Sequence, residues 1–284
     1  MDLRNSFLNN PSFSFERNIF YQKGMERQIR FEKDYIKLRE KEGRLYSDEI
    51  VQNLPDIPKS VSLAKEWKVR KISMNKLISY LNQKKISGSI LELGCGNGWL
   101  AHNLTISVNA EICALDVNET ELVQGARLFM ADKNLTFVYA DIFKAEINKA
   151  TFDTIILASS VHYFPDMNQL IYRLLELLKP AGEIHIIDTP FYSCKNESNR
   201  AKERSRSYFE SQGMPAMANG YYHHTLLDLK NFNLKILFDP NRPASMFKRK
   251  ILRIPQITFH WILITNEGFS SLPKKRFNKS RQAL

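Results

Sequence analysis

Three glycines, Gly94, Gly96 and Gly98, follow the apolar run Ser89–Leu93 and precede a helical pattern opening near Trp99. Glycine has no Cβ and tolerates positive φ, so such a turn lets a ligand lie against the main chain. The helix start beyond it adds free N–H groups. Glycine-rich turns serve nucleotide and phosphate sites of many kinds. Two details narrow this one. The spacing is Gly-x-Gly-x-Gly, which differs from the dinucleotide fingerprint, and an acid, Glu92, stands inside the strand itself. Two further acids, Asp116 and Asp141, end the runs Ile112–Asp116 and Leu135–Asp141. Carboxylates accept from hydroxyl and amino donors.

The elements that must position these residues read as short buried strands alternating with helices. Phe152–Ala158 and Glu183–Asp188 complete a set of five strands. Helical stretches over Trp99–Thr105, Glu119–Met130 and Asn168–Leu178 separate most of them. This alternation predicts a parallel sheet covered on both faces, with ligands at the carboxyl ends of its strands. After Pro190, residues 191–219 read as an irregular polar insertion. Leu234–Phe238 and Thr258–Thr265 then read as closing strands, with a turn at Asp239–Pro243 between them and a chain break at Pro255. Residues 1–85 read as mostly helical: a charged helix over Glu26–Glu42 stopped by Gly43, a short one from Ser47 to Pro55, and an amphipathic one over Val61–Leu81.

With the motifs in this order, Leu91-Glu92-Leu93-Gly94-Cys95-Gly96-Asn97-Gly98 resembles the first motif of class I S-adenosylmethionine-dependent methyltransferases. Ala114–Asn118 resembles the end of that family's second strand, where Asp116 matches the acid that holds the ribose hydroxyls and Val117 follows it. Tyr139–Phe143 resembles the adenine segment, with Asp141 matched to the exocyclic amine and Ile142 or Phe143 to the ring face. Phe152–Tyr163, including Ser159, resembles the fourth strand and the loop under the methyl group, and Leu178–Glu183 the turn into the fifth strand. The resemblance covers residues 86–190 well and 230–265 by topology only. It implies S-adenosylmethionine as cofactor, S-adenosylhomocysteine as product, and a Rossmann-like α/β fold. That fold is a seven-stranded mixed sheet, six strands parallel and the last antiparallel. The implied organisation is a helical lid over residues 1–85 and a methyltransferase domain over 86–284 with an insertion at about 191–230. Its cofactor residues would be Glu92, Gly94, Cys95, Gly96, Gly98, Asp116, Val117, Asp141, Ile142 and Ser159, with Arg70 (and Lys71 beside it) facing the cofactor's carboxylate.

The acceptor is written less plainly. Amino-directed nucleic-acid members carry an Asn/Asp-Pro-Pro-aromatic turn where this chain has Ala158-Ser159-Ser160-Val161-His162-Tyr163. Small-molecule members often have a Leu/Val-His-aromatic sequence there, and Val161-His162-Tyr163-Phe164 is similar. His162 could orient the cofactor or act as a base, or simply pack in the loop. Tyr221-Tyr222-His223-His224 follows the insertion, and an imidazole there could take a proton from a phenol or carboxylic acid, or serve as core. Asp188, Tyr163, Tyr221, Tyr222 and, from the lid, Tyr21 complete the acceptor candidates. Phe31, Tyr35, Tyr46 and Trp67 are the other lid aromatics. The function expected is methyl transfer to a small or medium-sized organic acceptor, most simply at oxygen. RNA or protein methylation and a non-catalytic cofactor-binding scaffold stand as alternatives.

Composition bounds these readings. The chain has 284 residues, 43% hydrophobic and 25% charged, enough for a self-supporting core. Its three cysteines form no C-x-x-C pair, so neither a disulfide framework nor a metal site is expected. No signal-peptide core and no apolar run of about 18 residues stand in it, so the cytoplasm is the expected compartment, for a monomer or homodimer. The net charge is +11. Residues 1–88 hold 18 basic and 11 acidic side chains, 89–190 hold 6 and 13, and 191–284 hold 17 and 6. An acidic middle bearing the motifs is thus flanked by basic ends, which leaves a nucleic-acid partner open without favouring it.

Overall fold

A computed structural model describes residues 3–25, 29–58, 63–250 and 257–266. Pro255 and the tail after Asn266 lie outside the described residues, as does the side chain of Phe31. The chain opens with α1 (Leu3–Leu8), a hairpin of β1 (Phe13–Glu16) and β2 (Ile19–Gln22), and the helices α2 (Ile29–Lys41), α3 (Asp48–Gln52) and α4 (Ala64–Gln83). The α/β body follows as β3 (Gly88–Leu93), α5 (Trp99–Ser107), β4 (Ala110–Asp116), α6 (Glu119–Leu128), β5 (Leu135–Tyr139), β6 (Phe152–Ala158), α7 (Met167–Leu177) and β7 (Leu178–Ile187). It ends with α8 (Lys195–Ser211), β8 (Leu234–Phe238), α9 (Pro243–Lys250) and β9 (Trp261–Thr265).

These strands form one sheet in the order β1-β2-β5-β4-β3-β6-β7-β9-β8. Neighbours from β2 to β7 run parallel, and β9 lies antiparallel to both β7 and β8. The seven expected strands are therefore present, with the last in sequence reversed. Among the described residues the count is nine, because residues 13–22, read as part of a helical region, instead form a hairpin that pairs β2 onto β5 through Ile19↔Phe137 to Tyr21↔Tyr139. Phe13, Ile19 and Phe20 are buried in that hairpin. Aromatic and β-branched side chains favour a pleated, half-buried surface, and the Glu16–Ile19 pairing is closed by Arg17 and Asn18, both at positive φ.

A second correction concerns residues 191–219. The Lys/Arg/Ser-rich stretch is not irregular but forms α8, 17 residues long. Its polarity hid it: only Ser198, Ala201 and Phe209 are buried, one narrow face, while Lys, Arg and Glu are good helix formers on the rest.

The central strands are apolar on both faces, as parallel strands under two helical layers must be. Period-two alternation sends Leu91, Cys113 and Val138 into the core beneath α7, and Ile90, Ile112 and Phe137 into the core beneath α4, α5 and α6. α7 starts at Asp166, whose carboxylate accepts from the Asn168 and Gln169 amides, and buries Leu170, Ile171, Leu174 and Leu177 on one stripe. Among the described residues no helix is long and apolar enough to cross a membrane.

Candidate active site

The carboxyl ends of β3, β4, β5 and β6 converge on a cavity of about 480 Å³, within the usual size of a small-ligand site. A larger open groove of about 710 Å³ lies at the opposite sheet edge, beside Gly88, Ala110, Asn134 and Thr151. It borders the strand starts, where open α/β sheets do not place their ligands.

The glycine turn divides its labour. Gly94, Gly96 and Gly98 all have positive φ. A Cβ on Gly94 would stand 2.4 Å from the Ser160 Cβ, and one on Gly98 would stand 2.6 Å from the Phe137 ring. Those two glycines are demanded by packing, and Gly98, the N-cap of α5, does not line the cavity. A Cβ on Gly96 would meet nothing nearer than the Glu121 carboxylate at 3.5 Å, so Gly96 is the glycine that keeps the cavity open.

Asp116 is consumed largely by the fold. Its Oδ2 accepts from the Gly96 amide at 2.7 Å, and its Oδ1 from the Val117 and Asn118 amides at 2.7 and 2.8 Å. A carboxylate has about four acceptor positions, so Asp116 retains room for one further donor, where the sequence suggested two. Burial raises its pKa against those three amide bonds. Glu92 is buried, and its Oε2 has no protein partner although it lines the cavity. An orphaned acceptor in that position fits a ligand N–H or O–H. Asp141 accepts from the Phe143 amide at 3.0 Å, while its own amide donates to Gln22 of the hairpin. Cys95, Val117, Ile142 and Ser159 also line the cavity. Ser159 sits at positive φ, with its hydroxyl donating to the Asp188 carbonyl at 2.9 Å.

Sequence reasoning missed Glu121. It lines the cavity, and burial, then the adjacent Asp116 carboxylate, push it up to about 7. Its Oε2 accepts from the Asn118 side-chain amide at 2.8 Å, while the Asn118 oxygen caps the Glu121 amide. The Asn-x-x-Glu spacing of a capping box was the available signal.

The far wall comes from the N-terminal segment and two loops. Tyr35, Arg39, Arg44, Tyr46, Trp67 and Arg70 line it, with Tyr163, Gly220 and Tyr222. Arg44 and Arg70 converge on Glu66, Arg44 through two bonds of 2.7 and 2.8 Å and Arg70 at 2.9 Å. Against the opposing effect of burial, this pairing holds Glu66 down at about 2. Arg70 lines the cavity and rests on the Trp67 ring. Lys71 pairs with Asp56 instead.

Other candidates stand behind the wall. His162 is buried between Tyr163 and Tyr221, at ring distances of 4.3 and 4.5 Å. Burial, then the charges of Arg39 and Arg70, depress it to about 3, which leaves a weak base. His223 pairs with the Ser205 hydroxyl at 2.9 Å on α8, and His224 packs beside Phe191. Asp188 accepts from the Ser73 hydroxyl at 2.6 Å, and burial raises it to about 6. Tyr21 sits on β2 against Tyr139. None of these six, Tyr221 included, lines the cavity. The strand and loop that carry them turn these side chains into core contacts, which a linear motif does not reveal. Among the described residues no cluster of His, Cys, Asp or Glu could hold a metal.

Comparison with known proteins agrees with this geometry. Residues 90–182 match the family model described as a methyltransferase domain. An uncharacterized methyltransferase of Mycobacterium tuberculosis is 27% identical over 107 residues, 38% of this chain and 53% of that protein. Malonyl-[acyl-carrier protein] O-methyltransferase of Bacillus anthracis is 29% identical over 173 residues, 54% of this chain and 62% of its own length. The chain thus spans about half the length of the first of these curated relatives. In fold it is similar to phosphoethanolamine N-methyltransferase 2 of Haemonchus contortus, solved with S-adenosyl-L-methionine. That likeness has a TM-score of 0.52 at 15% identity, over 86% of this chain and 60% of that one. The glycine turn and the strand-end acids lie inside the matched segment, so residues 90–182 form a methyltransferase domain.

Proposed function

We propose that the chain binds S-adenosylmethionine in this cavity and transfers its methyl group to a small or medium-sized organic acceptor, at oxygen. The observation that carries the reading is the convergence of Gly96, Glu92 and Asp116, each with an open face or an unused acceptor, on one cavity. Glu92 and the spare lone pair of Asp116 would take N–H and O–H donors of the cofactor. Asp141 and Ile142 would hold the base, and Arg70 would face the carboxylate. Bound there, the cofactor would supply an electrophilic methyl on a sulfonium, with the carbon–sulfur electron pair leaving on sulfur, to an acceptor oxygen that enters already ionised and so needs no base.

The protein's own part is position and dryness. Placing the acceptor in line with the methyl accounts for most of the rate in such a displacement, and the aromatic wall of Tyr35, Tyr46, Trp67 and Tyr163 excludes water. In this reading residues 1–85 act as the wall that closes the site, and residues 86–284 form the transferase unit. His162, His223 and His224 shape the loops rather than take a proton, since none reaches the cavity.

The test is incubation of the purified protein with methyl-labelled cofactor and separate metabolite, RNA and protein fractions. Label in the metabolite fraction as a base-labile ester or an ether supports the reading. Label confined to RNA or protein would replace it with the macromolecular alternative, and cofactor retention without transfer would favour the scaffold.

A further inference from the structure

Three arginines reach the cavity, and they are not equivalent. Arg44 and Arg70 share Glu66 through short bonds, and Arg44 also meets Glu42 at 3.1 Å, so both guanidiniums are held closely by carboxylates. Arg39 stands differently. Its Nη1 lies 3.4 Å from Glu42, its Nη2 lies 3.4 Å from the Tyr163 hydroxyl, and its guanidinium rests 4.8 Å from the centre of the Tyr35 ring. Glu42 is itself divided, accepting from Arg44 Nε at 3.1 Å and from the Tyr208 hydroxyl at 2.6 Å. A guanidinium carries five N–H donors in a planar fork, and those of Arg39 meet Glu42 and Tyr163 at 3.4 Å each and the Tyr35 hydroxyl, with the Glu121 carboxylate near, which leaves part of the fork for a ligand. Tyr35 and Tyr163, ring centres 6.0 Å apart and edge to face, flank the same space.

The place of this group in the fold matters. Tyr163 belongs to the 3-10 turn over Val161–Tyr163, directly after Ser159 and Ser160. The Ser160 hydroxyl donates to the Leu93 carbonyl at 2.7 Å, tying that loop to the glycine turn. Arg39 therefore lines the same cavity as the glycine turn, with the Glu121 carboxylate near it.

Resting on the methyltransferase reading, we infer that Arg39, with Tyr35 and Tyr163, is an acceptor subsite that recognises an oxyanion, a carboxylate or phosphate, carried by the acceptor apart from the atom that is methylated. The fork pairs with such a group through two parallel charge-assisted bonds. The Tyr163 hydroxyl, whose oxygen accepts from Arg39, supplies a further donor, while that of Tyr35 is engaged by Glu121 and Tyr163, and the two rings cover the apolar neighbour of the oxyanion. An oxygen held in two such bonds is a poor nucleophile, so the group is a handle and the methyl goes elsewhere on the molecule. The product keeps its negative charge.

The experiment uses the full chain, methyl-labelled S-adenosylmethionine and a small-molecule extract of the source cells, with products passed over an anion exchanger at neutral pH. Labelled product should be retained. If phosphatase treatment abolishes retention the handle is a phosphate, and if not it is a carboxylate. The Arg39→Gln variant should raise the KM for the isolated acceptor by about tenfold or more, with S-adenosylhomocysteine affinity by calorimetry within about twofold of wild type. Arg39→Lys should recover part of the loss. Tyr163→Phe, which keeps the ring, should raise KM by a smaller factor and guards against a folding defect in the arginine variants. Absence of anionic labelled product, or an unchanged KM in both Arg39→Gln and Tyr163→Phe, overturns the inference. So does a matching loss of S-adenosylhomocysteine affinity, which would assign Arg39 to the cofactor. Failure of the wild-type protein to bind S-adenosylhomocysteine would instead remove the methyltransferase reading beneath it.

Discussion

The two halves of the cavity are made of different material. The glycine-turn half is backbone and strand-end carboxylate: Gly96, Glu92, Asp116 and Asp141, held by amide bonds within three neighbouring strands. The opposite half is side chain, delivered by α2, by the loop between α2 and α3, by α4 and by the later loops at Tyr163 and Tyr222. Its charges are balanced by one another, as in the Arg44–Glu66–Arg70 group. The first half is fixed by the sheet whether or not a ligand is present. The second depends on how α2 and α4 rest on the body.

This contrast can be broken most sharply at the glycines. Gly98→Ala forces a Cβ into the Phe137 ring at positive φ and should cost about 3 kcal/mol of stability, read as a large fall in Tm. Gly96→Ala has space and should cost about 1 kcal/mol in strain, yet lower cofactor affinity far more than Gly98→Ala does in whatever fraction stays folded. Equal effects of the two on affinity would undo the division of labour. Next in size, Asp116→Asn turns an acceptor into an N–H facing the amides of Gly96 or of Val117 and Asn118. Cofactor affinity should fall by about tenfold or more, measured by calorimetry.

A third effect is electrostatic. Burial, then Asp116, raise Glu121 from its usual range to about 7. A carboxyl raised by folding stabilises the fold below its unfolded pKa and loses that contribution as pH rises through its folded pKa. Ligand-free Glu121→Gln should therefore match wild type near pH 4.5 and exceed its Tm by a few degrees at about pH 8. A gain at acidic pH alone would reverse the sign. The smallest effect belongs to His223, half-buried against Ser205. His223→Ala should change kcat by less than about threefold, and a pH profile lost with it would restore this histidine as the base.

The same contrast explains what could be read in the chain. Backbone-built sites need particular residues at fixed spacing on one contiguous stretch, so the cavity-lining Glu92 to Asn97, Asp116 and Asp141 were legible, as were the strands that carry them, whereas Gly98, read as a cofactor residue, serves packing against Phe137. Arg39, Arg44 and Glu66 were not, because nothing local distinguishes a charged residue on a solvated helix from one turned into a cavity. Tyr221 and His162 failed in the reverse direction: residues with suitable chemistry in a suitable loop became each other's packing partners. In the fold, the β1–β2 hairpin escaped because four-residue strands leave little periodicity. α8 escaped because its buried stripe holds only three residues.

Titration of S-adenosylmethionine into the ligand-free protein in a calorimeter, with Gly96→Ala alongside, decides whether the backbone-built half is a cofactor site. Saturable one-to-one binding at micromolar concentration is expected for wild type, with a marked loss in Gly96→Ala. No heat of binding at millimolar cofactor, or equal binding by the two proteins, would contradict that assignment.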